Sequence, residues 1–128
     1  MKKATESTFT FQDLSVWQKA IDFATAVILA VEELDTNRRH FRLIEQLEAA
    51  STSVSMNIAE GKGRHSRKEF VQYLYIARGS LFETITLLII FQKAGWMTSA
   101  KVHELQQHAE EITKMINSLI RSIRKSEK

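Results

Sequence analysis

The sequence has no cysteine, no proline and only four glycines in 128 residues. Without cysteine there is no disulfide framework, no thiolate metal site and no cysteine nucleophile. Without proline no helix is broken by a missing N–H, so chain reversals fall to glycine and to polar caps. Long apolar runs are also lacking: Leu87-Leu88-Ile89-Ile90-Phe91 is five residues, far short of the roughly 20 that span a bilayer. Met1-Lys2-Lys3-Ala4-Thr5-Glu6 lacks the apolar stretch of a signal peptide. A cytoplasmic protein with no membrane partner is therefore expected.

What is present is a globular composition, 44% hydrophobic and 26% charged, in a length suited to one domain, residues 1–128. Two of the four glycines fall in Asn57-Ile58-Ala59-Glu60-Gly61-Lys62-Gly63-Arg64-His65-Ser66. Helical periodicity lies on both sides, so one helix ends here and the next begins. Gly61 and Gly63 are expected to end the helix with positive φ. Ser66 with Glu69 reads as a capping box.

Elsewhere the pattern is helical. Trp17, Ala20, Ala24, Val27, Val31 and Leu34 recur every three or four residues, with Asp13 or Ser15 as the cap. Ile44, Leu47, Ser51, Val54 and Ile58 form a second seam, flanked by small residues that suit close helix approach. Phe70, Leu74, Ala77, Leu81, Leu88 and Phe91 form a third, which Gly95 ends. Mid-helix Gly79-Ser80 is expected to pack against the small residues of the second helix. Val102, Leu105, Ala109, Ile112, Ile116, Leu119 and Ile123 form a fourth, capped by Thr98 or Ser99. Helices over about 14–34, 39–59, 66–94 and 98–124 joined by short turns predict an all-α, up-down-up-down antiparallel four-helix bundle. An N-terminal arm is expected to tuck Phe9 or Phe11 against it.

The stretches "DLSVWQKA", "QLEAASTSVSMNIAEGKGRHSRKEF" and "YIARGSLFET" resemble the small bacterial four-helix-bundle family first noticed as open reading frames within intervening sequences of large-subunit ribosomal RNA genes. They are also similar to the accessory variability proteins of diversity-generating retroelements. The resemblance covers roughly Phe11 to Ile123, with Arg78 where the family commonly has lysine. It implies a four-helix protomer, a ring-shaped homopentamer and a connection to RNA or another nucleic acid. It implies no catalytic residues and no cofactor.

The residues support self-association independently. Val71, Tyr75, Phe82 and Ile89 form a second apolar stripe on the third helix, and Ile76, Leu87 and Ile90 lie on another side. A helix apolar most of the way round is normally buried most of the way round. A second copy of the chain is the expected cover, and a protein–protein adaptor is the alternative use of the same face.

Catalysis finds no support in the spacing. His103 and His108 are five residues apart, about 140° around a helix, where a helical zinc motif needs four. "GKGRHS" lacks the spacing of a phosphate-cradling loop. A non-enzymatic protein without a bound metal is expected. Charge is more informative. The net charge is +3, and in an up-down bundle the turn at 60–69 shares one end with both termini. That end collects ten basic residues, among them Lys2, Lys3 and Lys128, against five acidic ones, a surplus of five; the remainder has a deficit of two. Lys62, Arg64, Arg67, Lys68, Arg121, Arg124 and Lys125 are the candidates for contact with the phosphates of RNA or DNA. No aromatic residue interrupts the basic turn in sequence, so base stacking is not expected. Asn57, Glu60, Gly61, Gly63, Arg64, Ser66 and Glu69 are expected to fix the reversal, the charged and amide side chains as one polar network.

Overall fold

The computed structural model describes residues 9–36 and 39–126. Lys2, Lys3, Glu6, Asn37, Glu127 and Lys128 lie outside the described residues. A 3-10 turn at Thr10–Asp13 leads into α1 (Ser15–Val31), α2 (Phe41–Lys62), α3 (Arg67–Lys93) and α4 (Ser99–Ser126). Each helix packs against its neighbours in the chain and α1 closes against α4, with no packing along the diagonals. The fold is an all-α, up-down-up-down bundle with α1 and α3 at opposite corners. The starts of α1 and α3 share one end with the ends of α2 and α4.

The core follows the seams of α2, α3 and α4, except that α4 buries Ile120 where Leu119 was expected and that Leu119, Ile44 and Phe70 are only partly buried at its edge. Leu47, Ile58, Leu74, Leu81, Leu88, Phe91, Leu105, Ile112 and Ile116 are fully enclosed. α1 departs from its expected seam. Its buried face is Val16, Ala20, Phe23, Ala24, Val27 and Ala30, and Trp17 lies half-buried at the rim, edge-on to Phe11 with centroids 5.3 Å apart. Apolar residues cover so much of α1 that its period admits more than one face, and the bundle buries Phe23.

The helix ends also differ from expectation. Leu14 precedes α1 and no side chain caps it; the Gln18 amide instead donates to the Gln12 carbonyl at 2.8 Å, joining the 3-10 turn to the helix. α1 stops at Val31, and the chain continues through tighter turns in which Glu32, Glu33 and Leu34 donate three residues back. α2 begins after His40, whose φ of 67° lies in the left-handed region that histidine enters more readily than most side chains.

Of the four glycines, only Gly95 has positive φ, at 84°. It ends α3 in a Schellman motif: Trp96 N–H donates to the Phe91 carbonyl at 2.9 Å and Gly95 N–H to that of Gln92 at 3.0 Å. The Trp96 ring meets Phe91 edge-on at 5.1 Å and stacks on His40 at 4.4 Å, while the Asp35 N–H donates to the Trp96 carbonyl at 3.3 Å. One tryptophan thus joins both turns at the end away from Ser66. Thr98 Oγ1 caps α4 by accepting from Lys101 N–H at 3.1 Å.

Gly61 is a helical residue with negative φ, and the reason for glycine there is proximity. A Cβ at this position would lie 2.6 Å from the Tyr73 Cβ and 3.0 Å from Phe70. Gly63 is the right-handed C-cap, at φ −82°. Gly79 is exposed with nothing within 4 Å of its would-be Cβ, so it makes no close contact with α2. Its neighbour Ser80 does, with Oγ 2.9 Å from Ser53 Oγ. α2 and α3 are consequently the most intimately packed pair.

Candidate nucleic-acid interface at the basic end

The residues of the reversal form three separate groups rather than one network. At the turn, Ser66 Oγ accepts from Glu69 N–H at 3.1 Å and donates to the Glu69 carboxylate at 3.3 Å. The carboxylate therefore meets the hydroxyl, not the Ser66 backbone, and only half of a capping box forms. On the α2 side, Arg64 Nη2 donates to Glu60 Oε2 at 2.7 Å and to the Tyr73 hydroxyl. Asn57 lies deeper. Its amide donates to the carbonyl and the hydroxyl of Ser53, each at 2.8 Å, extending the Ser53–Ser80 pair between α2 and α3.

Arg67 joins the two basic segments. Its Nη1 donates to the Ser126 carbonyl at 3.2 Å, placing a cation on the last turn of α4, where unsatisfied carbonyls favour it. A cation in the first turn of α3, unfavourable for that helix, is thereby explained by the neighbouring helix end. The described residues of this end hold seven bases (Lys62, Arg64, Arg67, Lys68, Arg121, Arg124, Lys125) against three acids (Asp13, Glu60, Glu69). Lys68, Arg121 and Lys125 are exposed and form no ion pair among the described residues.

Aromatic rings do interleave with these cations, contrary to the reading from adjacency in sequence. Lys62 Nζ lies 5.9 Å from the Phe70 centroid, and the Arg64 guanidinium 4.8 Å from that of Tyr73. Tyr75 carries two guanidiniums, Arg78 at 4.8 Å and Arg124 at 5.3 Å. Arg78 is held by a 2.6 Å bond to Asn117 Oδ1 and also approaches Phe82, at 5.9 Å. Phe70, Tyr73 and Tyr75 come from the first three turns of α3 and meet Lys62 of α2, Arg64 of the turn and Arg124 of α4 through tertiary packing, whereas Arg78 meets Tyr75 and Phe82 within α3 itself. Tyr73, Arg78 and Asn117 were absent from the sequence-derived candidates.

The apolar stripe of α3 also needs revision. Val71 is only 6% exposed and Leu87 4%, so both belong to the core. Their position on the helix places them within the faces that α4 and α2 cover. Tyr75 is half-buried under its guanidiniums. Phe82, at 53%, and Ile89, at 37%, remain on the surface with Ile76 and Ile90. Phe82, Ile85 and Thr86 line an open groove whose far wall is Gln106, Glu110, Thr113 and Lys114 of α4.

His103 and His108 are exposed on α4. No group of three or more potential metal-ligating side chains occurs among the described residues. α3 is long and apolar enough, by length and composition alone, to cross a membrane, although its core face packs within the bundle as core helices do.

A family model described as 23S rRNA-intervening sequence protein matches residues 12–118, most of the chain. The chain belongs to this family. Among solved structures, this intervening-sequence protein is similar to a protein of unknown function from the S23 ribosomal protein family of Bacteroides thetaiotaomicron, known from a crystal structure at 1.70 Å. Identity is 26% and the TM-score 0.76, over 82% of this chain and 97% of that one. No curated protein matches.

Proposed function

We propose that this intervening-sequence family member is a non-enzymatic, cytoplasmic accessory factor that assembles with copies of itself and contacts the phosphates of RNA or DNA through the basic end of the bundle. The Arg67–Ser126 bond carries the reading, because it makes one surface of the α2–α3 turn and the end of α4. Lys68, Arg121 and Lys125 reach solvent from that surface without an ion pair among the described residues. They are the principal phosphate contacts, and Arg64 and Arg67 combine structural bonds with a contribution to the field.

Self-association has support of its own. Ile21 and Ile28 are exposed on α1, Phe82 and Ile89 on α3, each pair seven residues apart on helices at opposite corners. Ile28 and Ile89 lie three and four residues from the last residue of their helices, and the Asp35–Trp96 bond sets those ends at one level. Two stripes in matching register on opposite sides favour a head-to-tail contact, which closes into a ring when the rotation allows. A ring of five, as the family resemblance implies, would gather the basic ends on one face.

Charge reversal of Lys68, Arg121 and Lys125 to glutamate tests the reading. Nucleic-acid binding is expected to disappear while light scattering still reports the oligomer. Unchanged binding would overturn the assignment. The exposed Phe82–Ile89 stripe also favours a protein–protein adaptor as a second reading. Under that reading neither RNA nor DNA binds even at low salt, and Phe82→Glu disrupts capture of a partner.

A further inference from the structure

Tyr75, Arg78 and Phe82 lie at i, i+3 and i+7 on α3, one stripe starting at the basic end and facing α4. Arg78 is half-buried and held by Asn117 at 2.6 Å. Arg124 differs. It is exposed, and its guanidinium rests over the Tyr75 ring at 5.3 Å with no hydrogen-bond partner among the described residues. If charge complementarity to α4 were its only role, that cation would meet a carboxylate or carbonyl, as Arg67 does. Beside a half-buried ring it instead stays open to solvent. Arg121 and Lys125 lie within one turn of it on α4, both exposed. Flat cationic and aromatic surfaces bordered by phosphate-binding cations are the means by which proteins hold unpaired nucleotides. A duplex keeps its bases stacked inside and offers such a surface little beyond its backbone.

We propose that the basic end takes single-stranded nucleic acid, with an unpaired base stacked on the Tyr75–Arg124 pair and the adjoining phosphates on Arg121 and Lys125. This deepens the phosphate-binding function and rests on it. Arg124 and Tyr75 supply stacking, the neighbouring cations supply charge, and the preference for unpaired over paired strands follows from the first.

The test uses the full chain, a fluorescein-labelled oligouridylate and a duplex RNA of equal length, compared by anisotropy at one salt concentration. Arg124→Lys preserves the charge and removes the plane. Tyr75→Leu removes the ring, and Tyr75→Phe keeps it. Wild type is expected to prefer the oligouridylate. Arg124→Lys and Tyr75→Leu are each expected to weaken that binding by about fivefold or more, more than they weaken duplex binding, and Tyr75→Phe is expected to behave as wild type. Circular dichroism and light scattering confirm that each variant retains its helices and oligomeric state. Equal affinity for the two probes, or an Arg124→Lys variant that holds oligouridylate as tightly as wild type, overturns the stacking inference and leaves phosphate binding standing. Binding to neither probe overturns both.

Discussion

Substituting alanine at Gly61 and at Gly79 should move stability in opposite directions. In an ordinary helix interior, alanine is favoured over glycine by about 1 kcal/mol. Gly79 has open space around its would-be Cβ, so Gly79→Ala should gain about 0.5–1 kcal/mol. At Gly61 the new methyl would sit 2.6 Å from the Tyr73 Cβ, about 1 Å inside a normal carbon–carbon contact. No rotamer relieves this, because the Tyr73 Cβ is fixed by its own backbone. α2 and α3 must separate, at an overpacking cost of about 1–3 kcal/mol. The Ser53–Ser80 bond between the same helices, 2.9 Å long, then lengthens at a further cost of about 1 kcal/mol. After the gain in helix propensity, the net loss for Gly61→Ala is about 2 kcal/mol. At roughly 4 °C per kcal/mol for a chain of this size, the two variants should melt about 8 °C below and about 3 °C above wild type. Thermal and urea denaturation followed by circular dichroism at fixed protein concentration provide the assay. A Gly61→Ala variant as stable as wild type would refute the close-approach account of that glycine.

Three further outcomes follow from the helix ends. Ser66→Ala should cost about 1 kcal/mol by exposing the Glu69 N–H at the start of α3, and Ser66→Asp should restore most of it. Trp96→Ala removes both the Phe91 contact and the His40 stack; a loss of about 2 kcal/mol is expected, below the roughly 3–5 kcal/mol of a fully buried tryptophan. Unchanged hydrogen exchange at residues 32–36 and 39–40 in that variant would contradict the role given to the ring. Arg67→Ala should leave global stability within about 0.5 kcal/mol but speed amide exchange in the last turn of α4, where its guanidinium binds the Ser126 carbonyl.

The features legible in the sequence are those set by local periodicity and capping. The seams of α2 and α4, the Ser66 and Thr98 caps and the stop at Gly95 depend on residues within a turn of one another, and the structure has them. α1 was less legible because apolar side chains cover more than one of its faces, and only packing selects Phe23 over Trp17. Gly61 was misassigned because glycine can mean either positive φ or close approach. The neighbour that decides, Tyr73, lies twelve positions away on another helix. The Tyr75–Arg124 pair was invisible for the same reason: its residues are 49 positions apart and meet only across the α3–α4 seam. Val71 looked like surface because a stripe drawn on an isolated helix ignores how far each neighbour wraps around it.

The end joined by Arg67 and Ser126 is proposed as a phosphate-binding surface. The most direct test is the affinity of the full chain for oligouridylate across a series of salt concentrations, beside the Lys68/Arg121/Lys125 charge-reversal variant. Each phosphate neutralised on a single strand contributes about −0.7 to the slope of log affinity against log salt. Engagement of three or more cations predicts a wild-type slope of about −2 or steeper, with binding abolished in the variant. A flat salt response, or no binding at low salt, would contradict the account and leave the basic end as a solvated surface.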